Sequence, residues 1–530
     1  MKWSLASRLP SVRALGRVRT LSGLALLSGV LLGAGFLQAA PAGAVTPTVY
    51  VVNTNADLTG TGGCASGIGL CGFRQAVNQY NVDTTGADQI TFAAGTNGTN
   101  FSISANGPVI LQNANAVPIT ISGNGPSNTV IDGGNTTANL QISNVDATIS
   151  GITVQHVANF SGAVLDYSAH SFFSQVTIAH NSVGSALIIE AGASLIASSI
   201  TVTANSAICC DGAGIGNLST LNLSNSTVSN NSMTDGGSGG GGIVNQGGTT
   251  YATNDTISGN SVNGLGVFGG GLYINGGAVY ANSVSVTGNS ANGLDPEGGG
   301  IANIGGTLVA NGVTVSGNAA NGTGGLGGGI FSSGSTKVSF NNGSVTGNSV
   351  TGAGALGGGI YTRNTTLLAT SANVSTNTAN GTAAEGGGVY NTGGYDTFSS
   401  STIGANKATG TGAQGGGIFE NSGALVLNLS SVTGNSASLS GGLNGGGLYV
   451  NGGSTLVVNS TISSNTAGTG TAPSGTGKGG GAYLAAGLLN LANDTVTLNK
   501  AGSAGGGVYV AGGTLIVSPT TKITGNSPPP

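Results

Sequence analysis

Beyond about residue 200 the apolar residues of this chain return at a fixed beat. Each beat opens on glycines, then an aliphatic residue and usually an aromatic one, as in Gly269-Gly270-Gly271-Leu272-Tyr273. Eighteen residues after the last glycine comes Ile/Val-x-x-Asn, here Val286-Thr287-Gly288-Asn289. The triplet ends at Gly242, Gly271, Gly300, Gly329, Gly359, Gly388, Gly417, Gly447, Gly481 and Gly507, most often 29 residues apart. The asparagine runs from Asn231 through Asn289 and Asn377 to Asn526, with weaker copies at Asn205 and Asn181. A period of this size marks a repeat array, in which each unit packs only on its neighbours.

Within a unit the apolar positions alternate over three short β-prone runs, separated by a Gly-Gly pair and by an asparagine, and no run is helical. The pattern predicts an all-β, right-handed single-stranded parallel β-helix of the pectin-lyase-like kind, with three strands per coil. Three residues before the repeat asparagine stands always Ile or Val (Val228, Ile257, Val286, Val315, Val345), an interior stack. A second column, Asn225, Asn254, Asn342, Asn459 and Asn493, lies six residues before it and suits stacked corner amides. After the triplet, strand alternation forbids the aliphatic and aromatic columns from both pointing inward. The aliphatic column is placed inside. The aromatic one (Tyr273, Phe331, Tyr361, Tyr390, Phe419, Tyr449, Tyr483, Tyr509) is placed outside, either as a stack that stiffens the sheet or as a platform for sugar rings or a partner's surface. The loops before the triplets emerge along one edge, and thirteen coils give a rod of roughly 60 Å.

Composition supports this reading. The chain has 530 residues, 102 of them glycine, with 5% charged side chains. With only 12 prolines and no Gly-x-y period, collagen is excluded. Lys2, Arg8, Arg13, Arg17 and Arg19 precede an apolar run from Leu21 to Leu37 that ends in Ala42-Gly43-Ala44. That is the form of a signal peptide over 1–44, with an N-terminal membrane anchor as the alternative. Its removal leaves seven basic residues against sixteen acidic ones, so nucleic acid is not an expected partner.

Residues 45–135 differ from the repeats of 136–526. Phe73, Ala76, Val77 and Tyr80 are spaced as one apolar face of a helix, suited to capping the first coil. The run Cys71-Gly72-Phe73-Arg74-Gln75-Ala76-Val77-Asn78, followed by Gly86-Ala87-Asp88-Gln89-Ile90-Thr91-Phe92, resembles the CSLREA-type N-terminal domain of exported bacterial β-helix proteins. It departs from that pattern at Gly72, Phe73 and Gln75. The resemblance implies export and a β-helix, and no reaction. The Gly-Gly-Gly-Ile and Ile/Val-x-x-Asn pairing is more loosely similar to polymorphic outer-membrane-protein repeats. The chain closes on a proline-rich tail, 527–530. Cys64 and Cys71 are expected to form a disulfide, which an exported chain permits. Cys209 and Cys210 are adjacent, which allows either a strained vicinal bridge or two thiols.

Chemistry is sparse. Glycoside hydrolysis needs two carboxylates about 5–10 Å apart, yet Glu297 and Glu385 fall three coils apart and Asp132, Asp146, Asp166 and Glu190 occupy different repeat positions. Of the two arginines beyond the leader, Arg74 is in the cap and Arg363 is isolated. His156 and His180 align one coil apart, with His170 between them in sequence, and with Asp166 and Glu190 they are the catalytic candidates; the pair suits metal ligands or acid/base groups, but no third ligand shares its position and two stacked imidazoles need only a hydrogen-bonding role. Neither a calcium-repeat motif nor a phosphate loop is present, so no cofactor or metal is expected. The expectation is a secreted or cell-surface, non-enzymatic, monomeric scaffold or adhesin whose partners are glycans or neighbour-cell surface proteins. The alternative is a polysaccharide lyase or glycosidase of the same fold.

Overall fold

The computed structural model describes residues 47–528 except 66–68, 168–169, 209–211, 335, 441–442 and 469–475. The leader over 1–44, Cys209, Cys210 and the last two prolines lie outside the described residues. Among the described residues no helix is long and apolar enough to cross a membrane.

The chain winds into a parallel β-helix whose strands pair in constant register with the coils before and after. A full coil runs Leu272–Asn275, Ala278–Asn282, Ser285–Thr287 and Ser290–Leu294. The first two segments share one face across a Gly276-Gly277 bend, and they fuse into single strands at Val389–Ser399 and Ile418–Asn428. The second face stacks sixteen strands, from Thr99–Ser102 to Lys522–Thr524. Sixteen rungs span roughly 70 Å, more than the repeat asparagines alone indicate, because winding already starts within residues 45–135. Among the described residues the third face stacks eleven strands, the first at Ser206–Ala207.

The strands of the second face are short because each needs only one inward residue. In Thr256–Ser258 and Ser285–Thr287 the central Ile257 and Val286 are buried and their neighbours half-exposed, as the Ile/Val column predicts. The repeat asparagine follows at the corner and builds the main polar element of the interior. Asn289 Nδ2 donates to Asn318 Oδ1 at 3.0 Å and to the Ile257 carbonyl at 2.9 Å, and Asn318 Oδ1 also accepts from the Asn289 backbone N–H at 2.9 Å. The same amide accepts from Asn260, so every polar atom of a buried side chain is satisfied. The ladder is continuous from Asn181 to Asn526. The second column, Asn225 to Asn493, is an exposed corner in left-handed conformation, and its members on adjacent coils do pair, at 3.5 Å for Asn254 to Asn225 and 2.8 Å for Asn493 to Asn459.

The ladder also explains why triplet and asparagine recur together. A Cβ on Gly271 would press on the Asn289 amide, and one on Gly270 would collide with the carbonyls of Ser290 and Gly299. Gly269 has φ +54°. The turn thus needs one glycine for its dihedral and two for clearance.

At the N-terminal end the helix Phe73–Val82 lies over the first coils with Phe73, Ala76, Val77 and Tyr80 buried, as the spacing predicts. Arg74 is buried too. It bonds Asp57 at 2.6 Å and the carbonyls of Ile103, Gly107 and Pro108 at 2.7 Å each, so its charge is fully partnered. Cys64 and Cys71 are bridged, with Cα atoms 5.1 Å apart.

Candidate functional site

The histidine pair sits on the second face. His156 and His180 occupy one corner position on successive coils, both in left-handed conformation at φ 53° and 56°. Their ring centroids are 6.3 Å apart with planes 37° from parallel. His156 Nδ1 lies 3.1 Å from Asp132 Oδ2 and 3.3 Å from Oδ1. Asp132 is itself anchored by Asn100 Nδ2 at 2.8 Å, Gln155 Nε2 at 3.0 Å and the Gly134 N–H at 2.8 Å. Burial alone would raise this carboxyl, but the Gln155, Gly134 and His156 hydrogen bonds outweigh it and hold Asp132 below the usual carboxylate range. Sequence reasoning found both histidines but assigned Asp132 no part beside them. A signal existed, since Asp132 sits one coil before Gln155-His156.

The other two candidates are elsewhere. Asp166 belongs to the first face, in Val164–Tyr167, and its side chain points into the interior with no solvent exposure. Among the described residues neither carboxylate oxygen has a hydrogen-bond partner in range, and burial pushes the group up to about 7, with Ser171 and His170 pulling the other way. Glu190 is half-buried one coil on, where its backbone N–H donates to the Asp166 carbonyl at 2.9 Å. The four candidates therefore form two separate pairs on two faces. His170 is exposed beside Asp146 at 3.3 Å.

A further acidic cluster lies inside the long coils, with Glu420 two residues past the aliphatic column and Asp396 on the second segment of the same face. Asn391 Nδ2 donates to Glu420 Oε2 at 2.9 Å, and Thr362 Oγ1 donates to Asp396 Oδ2 at 2.8 Å. Burial lifts Asp396 to about 7; burial and the Asp396 charge together lift Glu420 to about 9. At the mouth of the glycine turns Glu297 and Glu385 are half-buried, and desolvation raises each to about 7. They stand three coils apart, as expected.

The aromatic column does point away from the main core, but it is not an open platform. Tyr273, Phe331, Tyr361, Tyr390, Phe419 and Tyr449 are buried under the segment that precedes each triplet, where Phe268, Leu326 and Leu356 pack over them. Tyr483 and Tyr509 are half-buried. From Phe331 to Tyr509 the rings stack face to face, 4.8–5.4 Å between centroids and within 17° of parallel. Ala302 interrupts the column between Tyr273 and Phe331. The faces a sugar ring would need are occupied by neighbouring rings. The exposed apolar row is another column, on the second segment of the same face: Phe172, Ile196, Asn222, Tyr251 and Tyr280 pair in register on five successive coils. All but Asn222 are large exposed hydrophobics, and Tyr251 stacks on Tyr280 at 5.2 Å.

No family model and no curated protein sequence matches this chain. Among solved structures it is similar to the catalytic domain of a GH87 α-1,3-glucanase in complex with nigerose, at 13% identity and a TM-score of 0.23. A variant of that domain in complex with tetrasaccharides gives 12% identity and 0.22. In both cases the match covers 86% of this chain and spans 66% of the other. Similarity at this level has no bearing on activity or site.

Proposed function

We propose that this chain is an exported, non-enzymatic rod that presents an extended, nearly uncharged surface to a neutral polymer, a glycan of a cell surface or matrix. The observation that carries the reading is the row Phe172–Ile196–Asn222–Tyr251–Tyr280, spread over five rungs or roughly 20 Å. Four large hydrophobics aligned on one exposed sheet face, with only Asn222 between them, support a binding surface. Beside its C-terminal end an outward amide ladder continues, Asn311 to Asn282 at 3.1 Å and Asn341 to Asn311 at 3.0 Å, offering neutral hydrogen-bonding groups on three rungs. The low charge suits a neutral ligand better than an acidic one. The competing reading, a polysaccharide lyase or glycosidase, needs acids that converge on an open site, whereas Asp166 is sealed inside and the histidines are on another face.

The test is a glycan array probed with the full chain and with Tyr251→Ala/Tyr280→Ala. Binding that falls at least tenfold in the double variant, at unchanged melting temperature, supports the proposal. Equal binding by both proteins overturns it. Depolymerisation of any glycan, abolished by His180→Ala, would establish the enzyme instead.

A further inference from the structure

We infer that His156 and His180 form a two-point site for a divalent first-row transition ion on the second face of the rod. The backbone sets their separation, because both hold the same left-handed corner in strands that pair residue for residue. Two imidazoles that bind one ion at about 2.0–2.1 Å have ring centroids roughly 5–6 Å apart. The observed 6.3 Å needs only a small side-chain rotation. Both rings have room for it, His156 at 40% side-chain exposure and His180 exposed.

The Asp132 contact supplies chemistry that mere proximity does not. A carboxylate accepts, so His156 places its proton on Nδ1, which leaves Nε2 as the unprotonated nitrogen with a lone pair to offer a metal. Asp132 is held in turn by Asn100, Gln155 and the Gly134 N–H, which fixes the ring it orients. With those oxygens committed, nitrogen is the donor set the corner offers. Imidazole suits copper, nickel and zinc, whereas magnesium and calcium take oxygen ligands. The same corner on the next coils carries Ala204 and Asn230, so the protein supplies two ligands and water fills the open positions.

Titration of the full chain with Cu²⁺, Ni²⁺ and Zn²⁺ by calorimetry tests the site, with Ca²⁺ as the contrast. One ion per chain is expected, copper tightest, with no comparable calcium heat. His156→Asn and His180→Asn should each weaken copper at least tenfold; asparagine is chosen because Asn230 already occupies this corner two coils on. Asp132→Asn should weaken it about tenfold through the loss of orientation, while the copper resonance keeps its two-nitrogen pattern. His170→Ala should change nothing. Unaltered copper binding by His180→Asn, or calcium binding as tight as copper, overturns the inference.

Discussion

The coils before Asn205 and those after Asn231 are two versions of one design. In the first, Asn181 and Asn205 are 24 residues apart; in the second the ladder asparagines are mostly 29 apart. The extra residues build the third face, which begins at Ser206–Ala207, and the segment that folds back over the aromatic stack. Where the coil is short, the column later filled by tyrosine holds Leu165 and the half-buried Ile188. Where the coil is long, the same column becomes a second core. The histidines, Asp132, Asp166 and Glu190 all lie in the short coils. Lengthening the coil added a second packed core.

This contrast can be broken in order of severity. Gly358→Ala, in the middle of a triplet, places a Cβ against the Gly387 carbonyl oxygen and the Thr378 backbone, and should cost more than about 4 kcal/mol in denaturant titration. Ala186 fills the last-glycine position of a short coil, and Ala186→Gly should cost only about 0.5–1 kcal/mol. Tyr390→Ala should cost about 3–5 kcal/mol and Ile188→Ala about 1–2. Equal losses would mean that the covering segment adds nothing. The ladder crosses both regions unchanged, so Asn205→Leu and Asn377→Leu should lose the same amount, about 2–3 kcal/mol, by orphaning buried neighbours.

The smallest effect is electrostatic. Buried carboxyls raised in the folded state bind protons that the unfolded chain has released. Stability is thus complete in mild acid and falls as pH rises from about 4 through about 7 for Asp396, Glu297 and Glu385, and on to about 9 for Glu420. The melting temperature at pH 5 should exceed that at pH 9, and Glu420→Gln should flatten the part above pH 7. A calorimetric profile without slope would contradict this. Asp83, held at about 2 with its strongest opposing hydrogen bond from Tyr50, works in the other direction only in strong acid.

The period, the Ile/Val stack and the cap helix were legible because each depends on neighbours in one strand or one turn. Residues such as Val286 and Phe73 carry that information in their own spacing. The cover over Tyr361 was not legible. Alternation says which face of a strand a ring leaves from, but not that Leu356, five residues earlier, folds back across it. The acidic interior was hidden for a related reason. Glu420's column passes through Asn303, Ser332, Thr362 and Asn391, which share burial but no single residue type. Tyr251 and Tyr280 stand out only once register shows that they are neighbours.

The asparagine ladder has an electrical consequence. Each side-chain amide points its N–H toward the next coil and its carbonyl toward the previous one, so thirteen dipoles from Asn181 to Asn526 add head to tail. Sheet backbones contribute little along such an axis, and one amide has a moment close to the peptide's, about 3.5 D. The rod is therefore a polarised object, its C-terminal end electropositive, and an external field would tell one end from the other.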